Sequence, residues 1–231
     1  GVAQRLALRE KGQREGSAPH QIIMSATPIP RSLTMVMYAD MDLSVIDEMP
    51  PGRQPVETVV LPNTRREDVQ ARIREACARE RRAYWVCPLI EDSDVVAVQA
   101  ATSRAEALKS ELPELRIALL HGKIPSAQKD EIMDDFRQGQ VDVLVATTVI
   151  EVGVDVPEAS LMVIENAERL GLSQLHQLRG RVGRGDQKSV CVLMYQPPLG
   201  HNAKERLATM RQSTDGFAIA QKDLELRGPG E

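Results

Sequence analysis

The run Gln177 to Gly185, QLRGRVGRG, is where residue type and spacing most directly imply chemistry. If the segment from Ser173 stays helical, Gln177, Arg181 and Arg184 fall at i, i+4 and i+7, on one face. Gly180 and Gly183 carry no side chain, so a backbone or a phosphate can come close to this turn. Two guanidiniums so placed can donate planar forks of N–H groups to phosphoryl oxygens. An arginine that stabilises charge in a phosphoryl-transfer transition state is worth about 10³–10⁵ in rate. The competing reading of the same residues is a solvated basic turn punctuated by glycines.

A second constellation precedes it. Val141 to Thr147, VDVLVAT, is a near-continuous apolar run that predicts a buried strand, with Thr147 and Thr148 at its carboxyl end. Ligands of open α/β sheets bind beyond the carboxyl ends of the strands. Gly153 then allows a tight turn and Asp155 supplies a carboxylate before Pro157. Read alone, this is also a strand followed by an irregular loop. His121 ends the predicted strand 116–120, where a lone histidine is more often structural than functional, and no neighbouring ligands suggest a metal. Thr27 can cap a helix opened by Pro28.

The elements that must position these residues alternate along the chain. Strand-like runs are Glu57 to Leu61, Ala83 to Pro88, Arg116 to Leu120, Val141 to Thr147, Leu161 to Ile164 and Ser189 to Tyr195. Helical patterns lie between most of them, over Arg65 to Arg79, Ser103 to Leu112 and Ser126 to Arg137. That alternation predicts an α/β fold whose mostly parallel sheet is flanked by helices. Met49-Pro50-Pro51-Gly52 is the clearest linker, and after Pro197-Pro198 two helices, His201 to Arg211 and Phe217 to Glu225, predict a hairpin. Gly1 to Glu15 reads as the middle of a domain and the closing RGPGE as an unfinished one, so the sequence is expected to be part of a longer chain.

Bulk properties narrow the classes. With 231 residues, 42% hydrophobic and 27% charged, the chain is ordinary for a globular protein. A formal charge of −4 excludes a protein that coats nucleic acid by global charge, so any phosphate binding must come from local arginines. The same charge, with 3% aromatic residues and no stacking platform, disfavours an arginine-rich RNA-binding module. Cys77, Cys87 and Cys191 form no C-x-x-C pair, which points to neither zinc nor disulfides and to a reducing, cytoplasmic setting. No apolar stretch reaches the roughly 18 residues of a membrane-spanning helix.

Three strings taken together resemble the later motifs of superfamily-two helicases, in their order and spacing: Ser25 to Arg31 (SATPIPR), Thr147 to Pro157 (TTVIEVGVDVP) and Gln174 to Gly185 (QLHQLRGRVGRG). Ala83 to Ser93, Ile164 to Gly171 and Asp223 to Glu231 are similar to stretches of the bacterial fork-remodelling DNA helicases within that superfamily, so the resemblance runs along essentially the whole chain. It implies a RecA-like helicase lobe over residues 51–198, the end of a first such lobe over 1–50, and over 199–231 the start of a helical hairpin that drives translocation. It further implies that Arg184 is the principal arginine finger and Arg181 a second triphosphate contact. Gln177 would lie at the same cleft, with Gly153 and Asp155 near the ribose. Thr147, Thr148 and His121 would meet the nucleic-acid backbone, Ser25 and Thr27 would couple nucleotide state to the DNA track, and Arg227 would be the key residue of the hairpin.

The partners implied are branched DNA, both forks and Holliday junctions, and the first lobe and wedge domain of the same chain, in a cytoplasmic monomer. ATP and Mg²⁺ would serve the full-length parent. No G-x-x-x-x-G-K-[ST] loop occurs in the sequence and no Asp-Glu box precedes Ser25, so these 231 residues alone are expected to bind neither and to be inactive. A transcription-repair coupling factor shares the first and third strings, and a non-catalytic adaptor that kept the lobe is the reading from a different class.

Overall fold

The computed structural model describes residues 53–88, 94–147, 156–185 and 187–227, with isolated positions before residue 49. Ser25, Thr27, Thr148, Gly153 and Asp155 lie outside the described residues, as do most of the elements expected over residues 1–50.

Six strands form one sheet: β1 Glu57–Pro62, β2 Arg82–Val86, β3 Ile117–Leu120, β4 Val143–Ala146, β5 Ala159–Ile164 and β6 Val190–Tyr195, in the spatial order β1-β6-β5-β2-β4-β3. Every pairing is parallel, so all the expected strands are present and the mostly parallel sheet is entirely parallel among the described residues. A parallel strand must return over a face of the sheet to restart at the same edge, and helices make four of the five returns, the one from β4 to β5 lying largely outside the described residues. They are α1 Arg66–Cys77, α2 Asp94–Glu111, α3 Ser126–Gln138 and α4 Leu172–Arg179. After β6 the expected hairpin follows as α5 His201–Gln212 and α6 Gly216–Arg227. None of these helices is long and apolar enough to cross a membrane.

Side chains of successive strand residues point to opposite faces, so each strand feeds two cores. Ala83, Trp85, Val143, Val145, Leu161, Val163, Val192 and Met194 face α1 and α2. Tyr84, Val86, Leu144, Ala146, Met162, Ile164, Cys191 and Leu193 face α3, α4, α5 and α6. Both faces being covered is why these strands read as continuous apolar runs rather than as alternating ones. Helix α2 begins well before the expected Ser103. Its buried stripe is Ala97, Ala101, Ala105 and Leu108, and in its first turn Val95 and Val96 are exposed, so apolar residues there do not mark one face.

On the second face the fully buried Phe136 of α3 meets Tyr84, ring centroids 4.9 Å apart and tilted by 59°. Truncation there removes a large side chain from a site whose walls are strands and cannot collapse. Phe136→Ala is expected to cost about 3–5 kcal/mol of unfolding free energy. A lower urea midpoint at an unchanged m-value checks it, and a midpoint near wild type would show that the contact is not part of the core.

Candidate functional site

Leu172, Leu175 and Leu178 bury one side of α4 against the sheet, and the helix stops at Arg179. Gly180 N donates to His176 O at 3.0 Å, Arg181 N to Leu178 O at 3.0 Å and Val182 N to Arg179 O at 3.3 Å, a tightened last turn that unwinds the chain. Arg181 and Arg184 therefore leave the helix and stand in the loop to β6, so the single helical face expected for Gln177, Arg181 and Arg184 does not form. Further on, Gly183 adopts φ +78°, a conformation through which no helix continues and which L side chains resist.

That conformation sets the loop flat on the amino ends of the strands. A Cβ at Gly183 would fall 2.5 Å from Val56 Cγ2, just before β1, and one at Gly185 would fall 2.8 Å from the Pro157 carbonyl oxygen, just before β5. The second contact joins the two constellations read from the sequence, since Pro157 closes the run that begins at Thr147. Gln177 and Arg184 are exposed at this edge and Arg181 is half-buried. Ligands of open α/β sheets commonly bind beyond the carboxyl ends of the strands, whereas this loop lies at the opposite, amino edge.

Two arginines that the sequence reading passed over hold the loop. Arg179 is 3% exposed and spends its donors inside the molecule: Nη1 donates to Met210 O at 2.9 Å, Ser213 O at 2.8 Å and Thr58 Oγ1 at 3.3 Å, and Nη2 to His176 Nδ1 at 3.1 Å. It ties α4 to β1 and to the end of α5. Only its burial separates it from its neighbours in the motif, and burial of one arginine among three is not visible in a string. Arg53 donates from Nε to Gly183 O at 3.0 Å and from Nη2 to Gly180 O at 3.5 Å. It follows the Pro-Pro-Gly linker, with no periodicity or motif to mark it.

Guanidinium has donors only, so His176 must offer Nδ1 as an acceptor and stay neutral, with its proton on Nε2. Burial, and after it the Arg179 charge, holds the His176 imidazole below its ordinary range, while Asp215 pulls in the other direction.

At the carboxyl edge Thr147 and His121 are neighbours, because Leu120 pairs with Ala146 and Thr147 N donates to Leu120 O at 3.2 Å. Thr147 is 2% exposed, and among the described residues neither its hydroxyl nor His121 Nδ1 has a hydrogen-bond partner. Burial, then Lys123 and Lys129, lowers the His121 pKa. Nearby, Glu165 at the end of β5 takes Arg66 Nη2 at 3.0 Å and Arg104 Nε at 2.8 Å on one oxygen, two positive charges against one negative. The Arg104 guanidinium also lies 5.9 Å from the centroid of Trp85. Burial pushes the Cys77, Cys87 and Cys191 thiols up to about 12, which keeps them protonated and inert. Among the described residues no group of three or more His, Cys, Asp or Glu could hold a metal ion.

Arg227 ends α6 and its side chain lies outside what the structure describes. A pocket of about 180 Å³ beside the hairpin is lined by Arg169, Leu170, Gly171, Arg206, Asp223 and Leu226, with Arg206 Nη2 donating to Glu168 O at 2.7 Å.

The profile of the helicase conserved C-terminal domain matches residues 67–186. The whole chain is 63% identical to part of the ATP-dependent DNA helicase RecG of Escherichia coli O157:H7, and it spans about a third of that relative, 34% of its length. Among solved structures it resembles RecG bound to a three-way DNA junction, with a TM-score of 0.77 and 48% identity over 90% of this chain and 27% of that one. The yeast DEAD-box splicing factor Prp28 matches 97% of this chain and 49% of its own at a TM-score of 0.57 and 18% identity, a likeness of fold alone.

Stability should depend on pH through the two histidines whose folded-state pKa is lowered. Below about 6.5, the ordinary histidine value, the unfolded chain takes up protons that the native state refuses. Stability is therefore full above that pH, falls as pH drops through it, and levels off below the folded-state values. His176→Gln, which keeps an acceptor for Arg179, should flatten the loss between pH 7.5 and 5.5 in urea titrations. An unaltered slope would show that His176 does not carry it.

Proposed function

The chain belongs to the helicase conserved C-terminal domain family, and we propose that it is the second motor lobe of an ATP-dependent helicase or translocase acting on branched DNA. The observation that carries this reading is the union of two motifs at one edge of the sheet, with Gly185 of the arginine loop packed on Pro157. Forks and Holliday junctions are the substrate class, by likeness to RecG and to its junction-bound structure.

In this reading the amino edge faces ATP and the carboxyl edge faces DNA. Arg184, exposed at the tip of the loop, is the principal finger, and Arg181 is a second phosphate contact. Their guanidiniums neutralise charge on the transferred phosphoryl oxygens in a transition state where positioning and electrostatics do nearly all the work. Gln177, on the last turns of α4, borders the cleft, with Gly153 and Asp155 assigned to the ribose side. The donor set fits a polyphosphate. It does not fit Mg²⁺, whose ligands we assign to the preceding lobe together with the phosphate loop. Thr147, Thr148 and His121 would meet the DNA backbone, a hydroxyl and an imidazole at adjacent strand ends suiting phosphate oxygens. Ser25 and Thr27 would relay between the two edges.

We divide the chain as the end of a first lobe over 1–50, the second lobe over 51–198 and a translocation hairpin from 199 that contains Arg227. The sheet supports the middle boundary, since its strands begin at residue 57 and end at 195. A monomer in the cytoplasm is the setting that fits such a motor. The adaptor reading is weaker because the arginine loop keeps both arginines, Gln177 and a close-packed backbone, none of which an adaptor needs. A transcription-repair coupling factor would differ in what precedes these residues.

Two outcomes test the proposal. In the full-length protein, Arg184→Ala should lower DNA-stimulated ATP turnover by about 10³–10⁵, and Arg184→Lys should restore little, because lysine lacks the planar fork. The 231-residue chain by itself should show no steady-state hydrolysis with forked DNA, and robust turnover by it would remove the division of labour between lobes.

A further inference from the structure

The arginine loop is held from two sides. Covalently it continues α4, and laterally it rests on the extended segment that leads from the Pro-Pro-Gly linker into β1. Three contacts define that second support. Arg53 Nε donates to Gly183 O at 3.0 Å, Arg53 Nη2 reaches Gly180 O at 3.5 Å, and Gly183 packs against Val56 so closely that a Cβ would fall 2.5 Å from it. The two carbonyls bracket Arg181 and Val182, and that of Gly183 immediately precedes Arg184.

We propose that Arg53 is a positioning residue for phosphoryl transfer, a clamp that bonds the carbonyls on either side of Arg181 and so fixes where Arg181 and Arg184 present their guanidiniums. The inference rests on the reading of those two arginines as nucleotide contacts. Arginine suits the task because its fork spans two carbonyl oxygens at once, which the single ammonium of lysine cannot reproduce. Its place in the chain adds a consequence. Segment 53–56 is the path from the proposed first lobe into the sheet, so the clamp ties finger position to the course of the chain between lobes. Arg53 follows the linker and lies outside the matched residues 67–186.

The test uses the full-length protein and four variants: Arg53→Ala, Arg53→Lys, Arg184→Ala and the double Arg53→Ala/Arg184→Ala. Arg53→Ala should lower kcat for DNA-stimulated ATP hydrolysis about 10- to 100-fold, the loss expected of a catalytic group displaced by about 1 Å, with little change in KM for ATP. Arg53→Lys should recover part of the loss, and millimolar guanidinium chloride, far below denaturing concentration, should raise the rate of Arg53→Ala but not of wild type. The double variant should lose much less than the product of the two single losses, because without Arg184 the clamp has only Arg181 left to position. A melting temperature lowered in Arg53→Ala, with kcat of the folded enzyme intact, would overturn the proposal in favour of a purely structural tie. Additive losses in the double variant would overturn it too. If Arg184→Ala leaves turnover unchanged, the finger reading itself fails. If Arg184→Ala abolishes turnover while Arg53→Ala leaves it unchanged, the finger reading stands and the clamp falls.

Discussion

Backbone lies almost directly on backbone where the arginine loop meets the amino edge of the sheet, and the placement of every charged group in the site follows from that contact. A methyl group at Gly185 would stand 2.8 Å from the Pro157 oxygen, and one at Gly183 would stand 2.5 Å from Val56. No side chain fits, and at Gly183 the left-handed φ excludes one on conformational grounds as well. The loop can seat this low only because its polar backbone is satisfied there, by Arg53 on the carbonyls of Gly180 and Gly183. Arg179, one residue earlier, fills the remaining gap between α4, β1 and the end of α5. Arg179 is buried as structure, while Arg184 stays exposed and Arg181 half-buried.

An all-parallel sheet has two unlike edges, and the proposed function assigns a different task to each. Strands β3 and β4 deliver His121 and Thr147 to the carboxyl edge, while β1, β5 and β6 begin where the arginine loop sits. Helix α4 runs between the two levels, with His176 and Arg179 at its lower end touching α5 and the turn after it. A motor needs its nucleotide and its track on separate surfaces joined by stiff elements, and a covered parallel sheet supplies that arrangement without special devices. The Glu165 pair with Arg66 and Arg104 extends the positive character of the carboxyl edge.

The strands were legible because burial on both faces makes each an apolar run with helical stretches between. The resemblance of three short strings located the arginine loop, where the fold leaves Arg184 exposed and Arg181 half-buried, with Gln177 exposed on the helix before it. Other parts could not be read. Helix α2 starts early on a valine-rich turn whose Val95 and Val96 are exposed, so its apolar residues trace no single face. Continuing α4 through Arg184 followed from spacing alone, and the positive φ of Gly183 is a property of the tertiary seat, not of the string. Arg53 and Arg179 act through carbonyl groups distant in sequence, and no local pattern marks a side chain whose partners are backbone atoms 127 and 34 residues away.

The central claim is that the two edges serve different ligands, nucleotide at the arginine loop and DNA at the strand ends near His121 and Thr147. Hydrogen–deuterium exchange on the full-length protein tests it most directly, with ADP–aluminium fluoride, forked DNA, or both. The account predicts that the nucleotide analogue slows exchange over residues 180–185 and that DNA alone slows it over residues 121–124 and around 147. Protection of residues 180–185 by DNA alone, or no protection there by the transition-state analogue, would contradict it.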